Sequence, residues 1–267
     1  MEQYLLKGKT AVITGASFGI GFAIAELYVK EGANVVMTAR GQEKLDAAVA
    51  EVNKSAVAEL GNKAIGVAGD VSSTEAAKAT IKTAVDTFGH IDILVNNAGV
   101  GEQWRIDCIP DDVVDQTIAI NFRGPVVWTR EALQYMLPQH SGSIINVSSV
   151  NGVRPMCGSV YASTKGGVNM LTKNTAIRCV GTGVRCNSLC PGYTITPMSQ
   201  TQEKGAGLAP KGQDMLPILH TRTVRESEDM HVACQPSDQA NLALFLGSDL
   251  SKAIQGQIIT VDNGSYL

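Results

Sequence analysis

Seven short runs of β-branched and apolar residues recur along the chain: Thr10–Thr14, Asn34–Thr38, Ala64–Ala68, Ile91–Val95, Ser143–Val147, Val184–Leu189 and Ile258–Val261. Longer stretches with helical periodicity separate the first six: Ile20–Lys30, Gln42–Leu60, Ser73–Phe88, Asp111–Leu137 and Ser159–Val180. Alternation of this kind restricts the chain to parallel strands, right-handed crossovers and helices on both faces of one sheet. Near-continuous apolar runs such as Ile91-Asp92-Ile93-Leu94-Val95 suit burial on both sides. The expected fold class is therefore α/β, a single doubly wound domain around a seven-stranded parallel sheet.

A chain of 267 residues and 28.2 kDa, 44% hydrophobic and 18% charged, can bury a large core, and we expect one compact domain over 1–267. One segment breaks the rhythm, a mixed-charge excursion at about 197–236 without a readable strand. Connections of that size are functional lids or structureless, and we read this one as a lid; its charged run Arg222–Asp229 would equally suit a solvated helix face. A net charge of -3 and a pI of about 5.8 provide no basic field, so neither nucleic acid nor a membrane surface is an expected partner. No apolar stretch approaches the ~18 residues that span a bilayer, and Met1–Lys9 does not read as a leader, so a soluble, cytoplasmic protein is expected. Six cysteines contain no C-x-x-C pair and no histidine at metal-ligand spacing; they read as reduced thiols, with no metal site.

Directly after the first strand comes Thr14-Gly15-Ala16-Ser17-Phe18-Gly19-Ile20-Gly21, which opens a helix. Glycines allow close backbone approach, and a helix N-terminus offers unpaired N–H groups and partial positive charge, so Gly15, Ser17, Phe18, Gly19, Ile20 and Gly21 are expected to cradle a pyrophosphate. Such a turn can also merely tighten a strand-to-helix connection. At the end of the second strand, where NAD-preferring nucleotide domains usually carry an acidic residue, the chain has Ala39-Arg40. The Arg40 guanidinium suits a 2′-phosphate, which favours NADP(H) over NAD(H). Asp70-Val71, after the third strand, is expected to meet the adenine.

Tyr161 and Lys165 stand four residues apart, with Tyr161 twelve positions after Ser149. On a helix they share a face. A cation ~4 Å from the phenol at an effective dielectric of ~20 contributes ~4 kcal/mol, or roughly three pKa units, which is sufficient to bring tyrosine into proton exchange near neutrality.

Taken in order, Gly15, Gly19 and Gly21, then Asn96-Asn97-Ala98-Gly99, Ser149, Tyr161 and Lys165 make the chain resemble the classical short-chain dehydrogenase/reductases over nearly its whole length. The resemblance implies a Rossmann-type domain and an alcohol–ketone oxidoreductase. It implies that Asn97, Ala98 and Gly99 line the adenosine side of the cofactor, steadied by Asp92, and that Pro191, Gly192, Thr194 and Thr196 meet the nicotinamide side. It also implies a catalytic tetrad of Asn121, Ser149, Tyr161 and Lys165: Asn121 fixing a water beside the lysine, Ser149 (with Ser148 as the fallback) bonding the substrate oxygen, Tyr161 transferring the proton, and Lys165 assisting it while binding the nicotinamide ribose. A homotetramer is implied as well.

The substrate is a small-molecule alcohol or ketone whose identity depends on residues outside these motifs. Trp104, Met156, Cys157, Val160 and Tyr193 would make an apolar wall for a hydroxysteroid, such as one of bile-acid type; Arg154 and Glu102 would serve a polar substrate instead. Hydroxysteroid dehydrogenation is the leading expectation. The alternatives are a sugar, polyol or 3-oxoacyl thioester reductase, and, outside enzymes, an NADP(H)-binding sensor.

Overall fold

A computed structural model describes residues 4–154, 158–199 and 233–264. Its sheet has seven parallel strands in the order β3-β2-β1-β4-β5-β6-β7. These are β1 Thr10–Thr14, β2 Asn34–Ala39, β3 Ala64–Ala68, β4 Ile93–Asn96, β5 Gly142–Val147, β6 Val184–Pro191 and β7 Ile258–Val261. The described helices are α1 Gly19–Lys30, α2 Gln42–Val52, α3 Thr74–Phe88, α4 Asp111–Ile118, α5 Gly124–Gln139, α6 Ser159–Arg178 and α7 Pro236–Gly247. None of them is long and apolar enough to cross a membrane.

The two-residue side-chain period sorts the strands between two cores. In register across the sheet, Val36, Val12, Leu94 and Ile144 face one layer, where Ile81 of α3 and Trp128 and Met136 of α5 are fully buried. Their neighbours Met37, Ile13, Val95 and Ile145 face the other, against Ile24 and Tyr28 of α1, Leu45 of α2 and Leu246 of α7. Each such side chain contributes ~1.5–3 kcal/mol when fully buried. The strand order reverses direction between β1 and β4, which opens a crevice at the carboxyl ends of those strands.

Three helical expectations change. The helix expected over Gln42–Leu60 stops at Val52, because Asn53 turns its amide onto the backbone of β3, accepting from Ala64 N (2.7 Å) and donating to Ala64 O (3.0 Å). The single helix expected over Asp111–Leu137 is split by a π-helical turn, Ala119–Arg123. Pro125 explains the break: it has no N–H for the carbonyl of Asn121 four residues back, and its ring crowds that oxygen. Helix α7 was not expected. It starts at Pro236 with a cap in which Asp238 accepts from Gln235 N (2.7 Å), and it docks on α1, where Tyr28 donates to Ala243 O (2.7 Å). Apart from 197–199 and 233–236, the excursion read as a lid lies outside the described residues, as do Met156 and Cys157.

A tight approach behind the glycine turn is at Gly21, where a Cβ would lie 2.4 Å from Asn97 Nδ2 and 2.5 Å from Gly15 O. Gly21→Ala is expected to cost ~1–3 kcal/mol through overpacking, read as a lowered midpoint in urea unfolding.

Candidate active site

The crevice holds a cleft of about 1180 Å³ bordered by the segments that leave β1 through β6. Gly15, Ser17, Phe18, Gly19 and Ile20 line it, and Gly21 lies behind them, packed on Asn97 rather than facing the cleft. Gly15 has φ +64° and would, with a Cβ, press to 2.8 Å on Ala98 Cα; only glycine fits both demands. Helix α1 begins without a side-chain cap and without an acidic residue in its first turn, so its N–H groups and dipole face the cleft uncompensated. These residues fit a dinucleotide pyrophosphate: the cradle is one that Cβ atoms would fill, and the donor end of the helix is open.

Asn97, Ala98 and Gly99 line the cleft beside this turn. They are spliced to it: Asn97 Nδ2 donates to Thr14 O (2.9 Å) and Gly15 O (3.0 Å), while Thr14 Oγ1 accepts from Asn97 N and Ala98 N, both at 3.0 Å. Asp92 lies at the far end of β4, accepting from Thr10 N (2.8 Å), so it steadies the pairing of β1 with β4 rather than touching the motif itself. Arg40 lines the cleft mouth together with Lys44, a cation that the sequence reading did not single out. Asp70 and Val71 border the same end. The Ser72 hydroxyl (2.7 Å) and N–H (2.8 Å) hold the Asp70 carboxyl below its ordinary pKa, with Arg40 adding to the effect. From the other side, Trp128 Nε1 donates to Val71 O at 2.9 Å, tying this loop to the core of α5.

At the opposite end Ser149, Tyr161 and Lys165 come together in the cleft. Lys165 is 5% exposed, and its Nζ donates to Val147 O at 2.9 Å. Burial pulls its pKa down to about 8, with Cys190 opposing. Nζ lies 5.7 Å from the centre of the Tyr161 ring, so the ammonium and the phenol are neighbours in the cleft. The serine pair divides its duties. Ser148 Oγ donates to Lys165 O (2.9 Å), whereas Ser149 Oγ accepts from Asn151 N (3.1 Å) and keeps its own proton to donate.

Asn121 does not line the cleft. It is fully buried in the π-helical turn, and its amide clamps Val100, accepting from Val100 N and donating to Val100 O, both at 2.8 Å. Gly99 lies between Asn121 and the lysine: a Cβ there would be 3.4 Å from Asn121 Oδ1 and 3.5 Å from Lys165 Nζ. Pro191, Gly192, Thr194 and Thr196 line the cleft after β6, where Thr194 Oγ1 donates to Gly192 O (3.1 Å) and accepts from Gln239 of α7 (3.2 Å).

The residues 9–207 match the family model described as short chain dehydrogenase. The chain belongs to that family. Among relatives of this short-chain dehydrogenase is L-rhamnose 1-dehydrogenase (NAD(P)(+)) from Sphingomonas sp. (strain SKA58), 35% identical over 266 residues and covering 98% of both chains. Another is 3beta-hydroxysteroid dehydrogenase 2 from Eggerthella lenta, 34% identical over 270 residues, covering 97% of this chain and 95% of that one. The crystal structure of levodione reductase superposes with a TM-score of 0.83 at 28% identity, covering 97% of this chain and 98% of its own. The short-chain dehydrogenase is thus an oxidoreductase that uses a nicotinamide cofactor on an alcohol or ketone.

Of the expected substrate wall, Tyr193 and Glu102 line the cleft of this short-chain dehydrogenase; Trp104, Val160 and Arg154 do not. Sequence reasoning missed Asn151, which lines it beside Ser149, and Val147, whose backbone carbonyl holds the lysine and leaves no signature in residue type. The division of labour between the serines predicts that Ser149→Ala lowers kcat/KM by ~100-fold or more, as loss of one oxygen-stabilising donor does, while Ser148→Ala lowers it by less than ~10-fold. Steady-state assays of the two variants on one alcohol check this.

Proposed function

We propose that this dehydrogenase interconverts a secondary alcohol and a ketone with NADP(H), that Asn121, Ser149, Tyr161 and Lys165 serve the chemistry, and that its substrate is a hydroxysteroid. The observation that carries the reading is the meeting of Ser149, Tyr161 and Lys165 at one end of a cleft whose other end is the glycine turn. The dinucleotide, when bound, supplies the site that gives or accepts a hydride. Gly15 to Ile20 would hold its pyrophosphate, Arg40 a 2′-phosphate, Asp70 and Val71 its adenine, Asn97 to Gly99 its adenosine flank, and Pro191, Gly192, Thr194 and Thr196 its nicotinamide end. Gly21 serves by letting the turn pack on Asn97.

The protein's own groups handle the substrate oxygen. Ser149 donates a hydrogen bond to it, and the Tyr161 hydroxyl gives or takes the carbinol proton. Lys165, protonated at neutral pH with a pKa of about 8, favours the phenolate form of its neighbour. Asn121 supports the lysine side by fixing Val100 and, through it, the wall beside Lys165.

The hydroxysteroid reading is supported by the Eggerthella relative and by the aromatic Tyr193 in the cleft. A sugar or polyol is the second reading, favoured by Asn151 and Gln103 in the same wall and by the rhamnose dehydrogenase relative. Assembly as a homotetramer in the cytoplasm completes the proposal; large apolar side chains left in solvent on α5 and α6, Tyr135, Met170 and Ile177, support the assembly.

A panel of steroid, sugar and aliphatic secondary alcohols assayed with NADP⁺ and NAD⁺ separately tests this reading. Steroid turnover with NADP⁺ is expected, falling by ~10²–10⁴ in kcat for Tyr161→Phe. Preference for NAD⁺ would overturn the role of Arg40, uniform failure on steroids would remove that substrate, and cofactor binding without any turnover would favour a sensor.

A further inference from the structure

Helix α6 carries both Tyr161 and Lys165, yet its start provides none of its own capping. The residue before it is Gly158, which has no side chain, and no side-chain cap bond is made from that position. The first backbone bond of the helix runs from Ala162 N to Gly158 O, so the amides before it need partners from elsewhere. Glu102, in the loop after β4, provides them. Its Oε1 accepts from Val160 N and Tyr161 N, both at 2.9 Å, and its Oε2 accepts from Trp104 N at 2.7 Å. The side chain is 5% exposed and borders the cleft. Gly158 is fitted to this contact, since a Cβ there would lie 2.1 Å from Glu102 O.

We propose that Glu102 is a positioning residue for proton transfer: its carboxylate, clamped on the backbone N–H of Tyr161, sets where the phenol sits relative to the cofactor wall. The same loop begins at Asn97–Gly99 and is gripped at Val100 by Asn121. One short segment therefore runs from the cofactor flank, through Val100, to the amide of the tyrosine. Both the negative charge at a helix N-terminus and the charge-assisted bonds favour this arrangement. Oε1, with both of its bonds given to the helix, is committed to α6, whereas the sequence suggested Glu102 as a contact for a polar substrate.

The inference rests on Tyr161 being the proton donor, and the test separates the two. In Glu102→Ala, kcat is expected to fall by ~10–100-fold, the effect of a small misplacement of a reacting group, with the dissociation constant of NADPH, read by its fluorescence, changed less than ~2-fold. Glu102→Gln, whose amide oxygen can still accept from Val160 N and Tyr161 N but whose NH2 then meets the N–H of Trp104, is expected to recover part of the loss, with kcat between those of Glu102→Ala and the parent. Amide hydrogen exchange at Val160 and Tyr161 is expected to quicken ~10-fold or more in Glu102→Ala and to stay near the parent rate in Glu102→Gln. If Glu102→Ala does not fold, Glu102→Asp, one methylene short of the paired amides, takes its place with the same expected losses. Unchanged exchange, unchanged kcat, or a Glu102→Gln variant as impaired as Glu102→Ala would each overturn the proposal. Parent-like turnover by Tyr161→Phe would instead overturn the reading it rests on, while an inactive Tyr161→Phe beside a fully active Glu102→Ala would remove this inference alone.

Discussion

An ammonium taken out of water without a carboxylate to meet it is the constraint around which this molecule is arranged. Lys165 is 5% exposed; its one strong partner is a neutral backbone carbonyl, Val147 O, and no carboxylate pairs with it among the described ion pairs. Burial therefore disfavours its charged form, lowering the pKa to about 8 against 10.5 for an ordinary lysine. The sign of the linkage follows. Between about 8 and 10.5 the unfolded chain binds more protons than the folded one, so the cost of this buried charge is fully present below about 8 and is relieved as pH rises through that window. A group that destabilises the fold near neutrality and lies in a cleft is a candidate for function rather than stability.

Everything near the lysine serves to hold it there. Strand β5 presents the Val147 carbonyl, and the Ser148 hydroxyl reaches the backbone oxygen of Lys165 itself. Gly152 makes room for that contact, since a Cβ would come within 2.7 Å of Lys165 C and O. On the other flank, Gly99 leaves space between the ammonium and Asn121. These residues come from segments far apart in sequence, and only the ordering of a parallel sheet with its switch between β1 and β4 brings their carboxyl ends to one edge. The turn at Gly15 and the tyrosine helix are thus parts of a single cleft.

Much of this was legible in the sequence because the signals were local. Strand periodicity fixed which faces would be buried, and it located all seven strands to within two residues at each end; the largest offsets are the start of β4 and the end of β6, each two residues later than expected. Glycine spacing and the Tyr161–Lys165 step marked the two ends of the cleft. What stayed hidden was non-local. The break at Ala119–Arg123 depends on how Pro125 meets a preceding carbonyl and on Asn121 finding Val100. The early end of α2 depends on Asn53 reaching β3. Glu102 looked like a substrate contact because its composition and position suit one; that its oxygens meet amides nearly sixty residues later is a fact of packing, which no spacing rule records.

The central claim, that Lys165 is a buried ammonium with no carboxylate partner among the described residues and is poised to lose its charge close to physiological pH, is tested most directly by titrating that one amine. In carbon-13 NMR of the cofactor-free protein with isotopically labelled lysine, assigned by the resonance missing from Lys165→Met, the account predicts a midpoint at about 8. A midpoint at the ordinary lysine value of ~10.4 would mean that the ammonium is solvated or paired after all, and would contradict the account.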